Sequence, residues 1–560
     1  MKKIFMVLMV GLLLMNLFTG CAKKNEDSPK DGTVATDTDT DADTADTSAD
    51  TTAETLTFPL EEKVKLTALV CTRVGVDNFD ENAMTKDIEK QTNIDMEFVV
   101  VPEDEAEEKL NLMLSTGDYP DIILLPQLNT SLQSLYGSQG ILLPLNDMIE
   151  KSGTISKELF NQYPVAKEIF TMKDGNIYNL PQLNECFHCQ STQKMWIYKP
   201  WLDKLGLEIP TTTEEFYTVM KAFKENDPNG NGLADEIPLA GTNLGWDSEV
   251  ESFLMNSFVY SANQSDAFRL FVDNGKVTAS YMTEGWKDGL IYLQDLAKEG
   301  LIAEESFTQD ADGLKRMGEN PDVVILGAFP GGFAGMGVDI AGDRANYIAL
   351  APLKGPKGVQ FAKYDPASAF VNGFSITDKC QNPEVAFMLA ELLYSKDMTM
   401  KNWSGIEGTD WQYITTPDDT KLGVDGKPAT WELLGTYESA VNASWNQQGN
   451  AFNTAELRAG QYVKDPNDLE AVLFQATRDK YQPYFPSTDM LLPKLQMTEQ
   501  QAADIMTLKS SIQDFVTENI AISITTDVDI NAEWDGYIAQ LQQMGAEKLL
   551  SVYQEAYDER

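Results

Sequence analysis

The hydrophobic pattern after residue 57 alternates between two periods. Residues 63–70 place apolar side chains at every second position, which is typical of a half-buried strand. Other segments space them three and four apart, which favours amphipathic helices, and Gly117 is a plausible helix end. The pattern predicts strands at 63–70, 94–101 and 121–125 and helices at 82–91 and 103–115. Strands alternating with helices indicate right-handed crossovers, a parallel sheet and an α/β fold.

Polar residues follow two of these strands. Ligands of parallel sheets bind beyond the carboxyl ends of the strands. Arg73 follows the first strand and Gln127 the third. Both are therefore candidate ligand-binding residues.

Later helices carry clear start signals. Thr212 with Glu215, and Thr498 with Gln501, match the capping box that opens a helix. Joints rich in Pro and Gly fall near 180, near 320–330 and near 352–358. About 500 residues are too many for one simple core, so two lobes are expected.

The first 21 residues resemble a bacterial lipoprotein signal. Lys2 and Lys3 precede an apolar run over residues 4–18, and small residues lead to Cys21. The run is too short and too early for a permanent membrane span. We expect residues 1–20 to be removed and Cys21 to carry lipid. The alternative is an ordinary secreted protein with an incidental cysteine.

Residues 22–57 consist mostly of Asp, Thr and Ala and cannot bury a core. As a flexible coil, this linker of about 36 residues would span roughly 30–35 Å. No second apolar run is long enough to span a bilayer. We expect the folded part to stand on the outer face of the cell membrane, held by the lipid anchor alone.

Charge excludes one class of partner. The formal net charge of −44 argues against nucleic acid, whose binding needs basic patches. The same charge makes the chain no obvious host for acidic sugars, unless local Arg or Lys residues override it.

Cysteine is scarce, with five residues in 560. Cys186 and Cys189 flank His188, the one histidine of the chain. Three interpretations stay open: a zinc site completed by distant ligands, a redox pair, or small buried residues with one local disulfide.

The strongest chemical motif opens at Asp227 and matches the start of an EF-hand loop. Oxygen-bearing side chains occupy positions 1, 3 and 5, and a glycine occupies position 6. Pro238 stands where the usual bidentate Glu would be, and Glu236 could replace it. Hard oxygen ligands favour a structural Ca²⁺ over zinc; a metal-free Asn/Gly turn is the alternative. The predicted ligands are Asp227, Asn229, Asn231, Leu233 through its carbonyl, Asp235 and Glu236.

From about residue 60 to the C-terminus, the chain resembles lipoproteins among the extracellular solute-binding proteins of ABC importers. The stretch from MWIYKPWLDKLG to GNGLADEIPLAG carries the resemblance, as do LNLMLSTGDYPDII, LAKEGLIAEESFTQD and EWDGYIAQLQQMGAEKLL. The resemblance implies two α/β lobes that close over an oligosaccharide, a calcium loop at Asp227, and separate membrane-embedded permease subunits as partners. We expect a monomer. The expected lobes are 58–181 with about 322–400, and 182–321 with about 401–560.

Sugars present apolar C–H faces to aromatic rings and hydroxyls to polar side chains. Tryptophans in polar or turn segments are candidates for stacking, and core packing is the alternative for each. Trp196, Trp201 and Trp286 lie in apolar patterns and are expected in the core. The predicted ligand-binding residues are Arg73, Gln127, Glu185, Asn243, Trp246, Asp247, Trp403, Trp411, Trp445 and Asn446.

Two other functions are alternatives to sugar import. The same fold could bind a peptide or a signal molecule, which would need a cleft with paired charges and strand-edge bonds. A secreted glycosidase would need two carboxylates about 5–10 Å apart. With 87 acidic residues such pairs arise by chance, and no nucleophile motif is visible. We therefore expect no enzyme activity.

Overall fold

The computed structural model describes residues 57–560, apart from 243–244, 262–267, 321, 340–345, 417 and 436–439. Cys21 and Asn243 lie outside the described residues. The segment Leu56–Arg560 forms one compact unit. Within the described part, no helix has both the length and the apolar character needed to cross a membrane.

The strands and helices below are numbered in chain order. The strands are β1 (Val64–Cys71), β2 (Ile94–Val101), β3 (Ile122–Ile123), β4 (Leu180–Asn184), β5 (Lys194–Tyr198), β6 (Ile237–Leu239), β7 (Leu270–Asp273), β8 (Lys276–Ala279), β9 (Leu326–Gly331), β10 (Tyr347–Leu350), β11 (Phe370–Ile376), β12 (Trp411–Tyr413), β13 (Trp431–Leu433) and β14 (Phe452–Asn453). The helices are α1 (Ala83–Thr92), α2 (Ala106–Thr116), α3 (Thr130–Ser138), α4 (Asn146–Ser152), α5 (Ile155–Gln162), α6 (Pro164–Phe170), α7 (Lys199–Leu205), α8 (Thr213–Glu225), α9 (Val250–Met255), α10 (Glu284–Lys298), α11 (Ala311–Gly318), α12 (Pro383–Leu393), α13 (Lys396–Ser404), α14 (Ala455–Ala459), α15 (Leu469–Ala476), α16 (Glu499–Thr525), α17 (Ile530–Gln543) and α18 (Ala546–Asp558).

The first large sheet has the strand order β14-β4-β11-β3-β1-β2. β1 pairs in parallel with β2 and β3, as the pattern predicts. β11 is antiparallel to β3 and to β4, so the sheet is mixed rather than wholly parallel. Apolar clusters cover both faces of this sheet, which we call lobe 1 together with its helices.

The second large sheet has the order β10-β5-β9-β6. β6 is parallel to β9, and β5 is antiparallel to β9 and β10. Its core includes α8, α10 and the C-terminal helices α16 to α18, and we call this part lobe 2. Trp196, Trp201 and Trp286 are buried in it, as expected.

Strand pairing contradicts part of the predicted lobe boundaries. β9 and β10, expected in lobe 1, pair within the sheet of lobe 2. β14, expected in lobe 2, pairs with β4, and Trp445 packs in the lobe 1 core. Pro- and Gly-rich joints mark turns, but they carry no information about which distant strand a segment joins.

Local signals set the element ends well. Thr212 and Glu215 form both hydrogen bonds of a capping box at the start of α8, and Thr498 and Gln501 do the same for α16. Gly117 ends α2 at φ +79°, a left-handed conformation that glycine adopts without steric cost.

Candidate functional site

In each large sheet, one edge is formed by the strand ends at which the chain leaves for, or arrives from, the other lobe. In lobe 1, β1, β3, β4 and β14 end at this edge and β11 begins there. In lobe 2, β6, β9 and β10 end at the edge and β5 begins there. The chain crosses between lobes three times, over 185–193, 351–369 and 454–468. The candidate cleft lies between these two edges.

Trp246 offers an aromatic face at the lobe 2 edge. It lies in the turn between β6 and α9, and its side chain is 45% exposed. One face of the indole packs on Gly332, where an added Cβ would come within 2.4 Å of the ring. The Trp246 carbonyl accepts the Gly332 N–H at 2.9 Å. A ring held on one face by backbone leaves its other face for a ligand.

Asp247, the next residue, is a buried carboxylate with a spare oxygen. Its Oδ1 forms an ion pair with Lys363 Nζ at 2.8 Å, and both side chains are largely buried. Its Oδ2 is buried and has no hydrogen-bond partner among the described residues. A buried acceptor without a donor is unusual, and a ligand hydroxyl that reached it would satisfy it.

The surroundings of Asp247 are acidic. Burial raises the pKa of Glu249, and the charges of Glu251 and Asp247 raise it further. The amine of Lys194 donates to the Ser191 carbonyl. Burial lowers the pKa of Lys194 to about 7, although Asp247 opposes the shift.

At the lobe 1 edge, Arg73 and Gln127 stand beyond β1 and β3, where the sequence places them. Arg73 forms an ion pair with Glu103, the residue two positions beyond β2. Gln127 is half-buried, and its Oε1 finds no partner in the described part of the chain. Because β1 and β3 both end at the cleft edge, Arg73 and Gln127 lie there as well.

Glu185 opens the first crossing. Its Oε2 accepts hydrogen bonds from the Tyr163 hydroxyl and from the Ala455 N–H, both at 2.9 Å. Burial, with Glu185 beside it, raises the pKa of Tyr163. Because Ala455 starts α14 in the third crossing, Glu185 ties two crossings together.

Two other predicted residues lie on lobe 1 loops. The Asn446 side chain donates to the Val74 carbonyl at 2.8 Å and so joins the loop after β1 to the segment before β14. Trp403 is half-buried near the end of α13.

Trp411 and Trp445 are corrections to the predicted stacking set. Trp445 is fully buried, its Nε1 donates to Thr85 Oγ1 at 2.8 Å, and its ring meets Phe98 edge-on. Trp411 is 2% exposed and donates to the Gly405 carbonyl. Rings enclosed in this way have no face for a sugar.

The sequence reasoning missed Lys363, which lies 116 positions from Asp247 and has no local signal. It also missed Tyr364, which lies within the second crossing and whose ring stacks on Phe485 at 4.1 Å. Neither residue lies in a motif, so the sequence alone carried no signal for them.

The loop at Asp227 gathers oxygen atoms around a tight turn. The Asp227 carboxylate accepts backbone N–H groups of Gly230, Asn231 and Gly232 at 2.8–3.1 Å. The side chains of Asn229 and Asn231 both donate to Asp235. Burial raises the pKa of Glu236, with a further contribution from the charges of Asp227 and Asp235. The charges of Asp227 and Asp235 thus act on a third carboxyl group in the same loop, and this grouping of negative charge suits a hard cation.

Cys186 and Cys189 form a disulfide within the first crossing, one of the interpretations left open by the sequence. His188 between them is buried, and its Nδ1 lies 3.6 Å from Glu470 Oε1. Glu470 in turn forms a bidentate pair with Arg458.

Comparison with known proteins supports this architecture. The model of the bacterial extracellular solute-binding protein family matches residues 76–400. The fructooligosaccharide ABC transporter substrate-binding protein FusA of Streptococcus pneumoniae serotype 4 is 27% identical over 512 residues, which cover 90% of this chain and 92% of FusA. The polygalacturonan/rhamnogalacturonan-binding protein YtcQ of Bacillus subtilis is 29% identical over 364 residues, 62% of this chain and 66% of YtcQ.

A solved structure of a FusA EF-hand mutant from S. pneumoniae, in complex with fructo-nystose, superposes with a TM-score of 0.76 at 25% identity. The match covers 88% of this chain and 99% of that one. The expected two-lobed α/β fold is confirmed.

Proposed function

Because the chain belongs to the family of bacterial extracellular solute-binding proteins, we propose that it captures an oligosaccharide by closure of its two lobes and delivers it to a separate ABC permease. FusA and YtcQ are both named for glycan binding, and both are similar to this chain. FusA is the substrate-binding protein of an ABC transporter and YtcQ is a binding protein; neither is an enzyme, in agreement with the expectation from the sequence. Closure excludes water, which strengthens polar contacts to the cargo.

The observation that carries this proposal is the pairing of Trp246 with Asp247. The open indole face matches the apolar face of a sugar ring. The spare Asp247 oxygen lies on the adjacent residue and can accept a hydroxyl. Arg73, Gln127, Glu185 and Asn446 supply further polar atoms at the facing edge and crossing.

A ligand screen tests the proposal. The protein, with calcium present, is melted alone and with plant, algal and host oligosaccharides and with short peptides. A rise of several degrees in Tm with one glycan class, followed by calorimetric titration, is the expected result. Stabilisation by peptides alone would replace the sugar assignment with peptide binding.

Replacement of Trp246 locates the site. Trp246→Ala should weaken glycan binding about tenfold or more, which corresponds to about 1.4 kcal/mol or more, and should leave the Tm of the free protein nearly unchanged. Trp246→Phe, which keeps an aromatic face, should retain most of the affinity. Leu112→Ala, at an exposed position on α2, is the matched control. Equal binding by Trp246→Ala and the control would place the cargo elsewhere.

We propose that the Asp227 loop holds a structural Ca²⁺. Three carboxylates, two amide oxygens and the Leu233 carbonyl form a donor set of the hard, oxygen-only kind that Ca²⁺ prefers. The like-charge field on Glu236 fits a cation at this place. The ion would brace the segment between α8 and β6, which enters the lobe 2 sheet. The Asp227 loop lies outside the crossings and edges that form the cleft.

We further propose that the protein is a monomer held at the outer face of the cell membrane through lipid on Cys21. The support for the lipid anchor is the sequence of residues 1–57. Metabolic labelling with a palmitate analogue should mark the wild-type chain and leave Cys21→Ser unmarked. Labelling of both would contradict the assignment of Cys21.

A further inference from the structure

We propose that the cargo is an uncharged oligosaccharide, because the buried and half-buried cations at the cleft edges are already engaged by carboxylates or carbonyls while carboxylate oxygens lack donors among the described residues. This inference rests on the proposed sugar-binding function. The relatives named above include binders of neutral and of acidic glycans, so family membership does not decide the question.

The buried and half-buried basic side chains at the edges are each engaged, whereas Lys354, in the second crossing, is exposed and has no ion pair among the described residues. Arg73 is paired with Glu103, and Lys363 with Asp247. Lys194 is fully buried and donates to the Ser191 carbonyl. In the third crossing, the Arg458 guanidinium is bound by both oxygens of Glu470.

Two further lysines near the edges are bound to main-chain oxygens. Lys494 donates to the carbonyl of Phe370 at 2.7 Å, and Lys480 to that of Ala349 at 2.6 Å. An acidic sugar would have to break one of these contacts to obtain a counter-charge that is shielded from water. Breaking an ion pair would also leave its carboxylate without a partner in a poorly solvated place.

The carboxylates at the same edges retain acceptor capacity. Asp247 has a buried Oδ2 without a partner in the described chain. Glu185 is bound through neutral donors, the Tyr163 hydroxyl and the Ala455 N–H. The raised pKa of Glu249 reflects burial and the negative charges of Glu251 and Asp247. Glu251 and Asp247 are each paired with a cation, Arg269 and Lys363, so neither of these cations is free to receive an anion.

Neutral sugars fit this arrangement. A carboxylate only accepts hydrogen bonds, and a sugar hydroxyl can donate one without bringing charge. Hydrogen bonds to charged groups are also stronger than those between neutral groups. A uronate would bring its own carboxylate beside Asp247 or Glu185, where like charges repel.

Matched glycan pairs test the inference. Calorimetry compares neutral oligosaccharides with acidic twins of the same skeleton: mannotriose with trimannuronate, galactotriose with trigalacturonate, and trigalacturonate with its methyl ester. Kestose and nystose extend the neutral set. We expect a neutral glycan to bind, its affinity to be insensitive to salt, and acidic glycans to bind at least tenfold more weakly.

The outcomes separate the two proposals. An acidic glycan that binds within tenfold of its neutral twin, or more tightly, overturns the present inference and leaves oligosaccharide binding intact. Failure of every oligosaccharide to bind overturns the proposed function, and this inference with it.

Asp247→Asn identifies the source of the selectivity. Asparagine tolerates the left-handed backbone of this position, which has φ +53°, so the variant is expected to fold. It removes one charge and releases Lys363 from its ion pair. We expect the ratio of acidic to neutral affinity to rise at least fivefold. Asp118→Asn, at an exposed position beyond α2 at the other end of the sheet, should leave the ratio unchanged. An unchanged ratio in Asp247→Asn would show that this carboxylate is not the selective group.

Discussion

Replacement of the buried Lys194 by methionine should stabilise the protein. Lys194 begins β5, has no exposed surface, and carries its amine over the Tyr481 ring at 5.1 Å. Its one hydrogen-bond acceptor in the described chain is the Ser191 carbonyl. Methionine has a similar length and no charge to desolvate, so the packing can be kept while the cost of burying an amine is removed.

The magnitude follows from the pKa. Burial lowers it from the ordinary 10.5 to about 7, and this gap corresponds to about 5 kcal/mol at 1.36 kcal/mol per pKa unit. Between pH 7 and 10.5 the unfolded chain binds a proton that the folded chain does not. Stability from this group therefore rises with pH across that window and is lowest at pH 7 and below. After allowance for the lost hydrogen bond and ring contact, we expect Lys194→Met to gain about 2–4 kcal/mol at pH 7.

Denaturant unfolding of wild type and Lys194→Met between pH 6 and 10 measures the effect. The difference in midpoint should be largest at pH 6–7 and should shrink as the pH approaches 10. Lys194→Arg, which keeps the charge, is the matched control and should be destabilised at every pH. A destabilised Lys194→Met variant, or a difference that does not change with pH, would refute the reasoning.

Three other predictions concern the metal loop, the core and the first crossing. Chelation should lower the Tm of wild type but not of Asp227→Asn; equal melting with and without chelator, and no calcium by elemental analysis, would contradict a structural ion. Trp445→Ala should cost about 3–5 kcal/mol of stability in thermal or denaturant unfolding, since it empties a core site; a small loss would mean that the ring is not core. Burial lowers the pKa of His188 to about 3, so the stability of the protein should fall as the pH drops from 6.5 towards 3. His188→Leu should reduce that fall in melts from pH 7 to 4. Parallel curves of Tm against pH for the two proteins would contradict this prediction.

Local patterns predicted the first third of lobe 1 well. β2 has the bounds expected from the apolar alternation, and α1 begins one residue beyond Asn82, which caps it. Capping boxes fixed the starts of α8 and α16. These features depend on neighbours within about four residues, so one sequence contains the necessary information.

Pairings over long distances could not be predicted in the same way. Nothing near β9 indicates that it joins β5 and β6, and nothing near Trp445 indicates Thr85 as its partner. The polar segment around Trp445 favoured an exposed side chain. The prediction was wrong because the Asn and Gln neighbours serve as hydrogen-bond partners inside the fold rather than as surface groups. Gln448, for example, is buried and accepts from the Cys71 N–H.

The threefold crossing of the chain has a consequence for the timing of folding. Lobe 1 cannot complete its sheet until β14, near residue 453, is available, and lobe 2 cannot close its core until α18, which ends at Asp558. A chain made from its N-terminus therefore holds two unfinished halves until its last fifth appears. We therefore expect neither core to be complete for most of the synthesis, a state that favours passage of the chain through a narrow export channel.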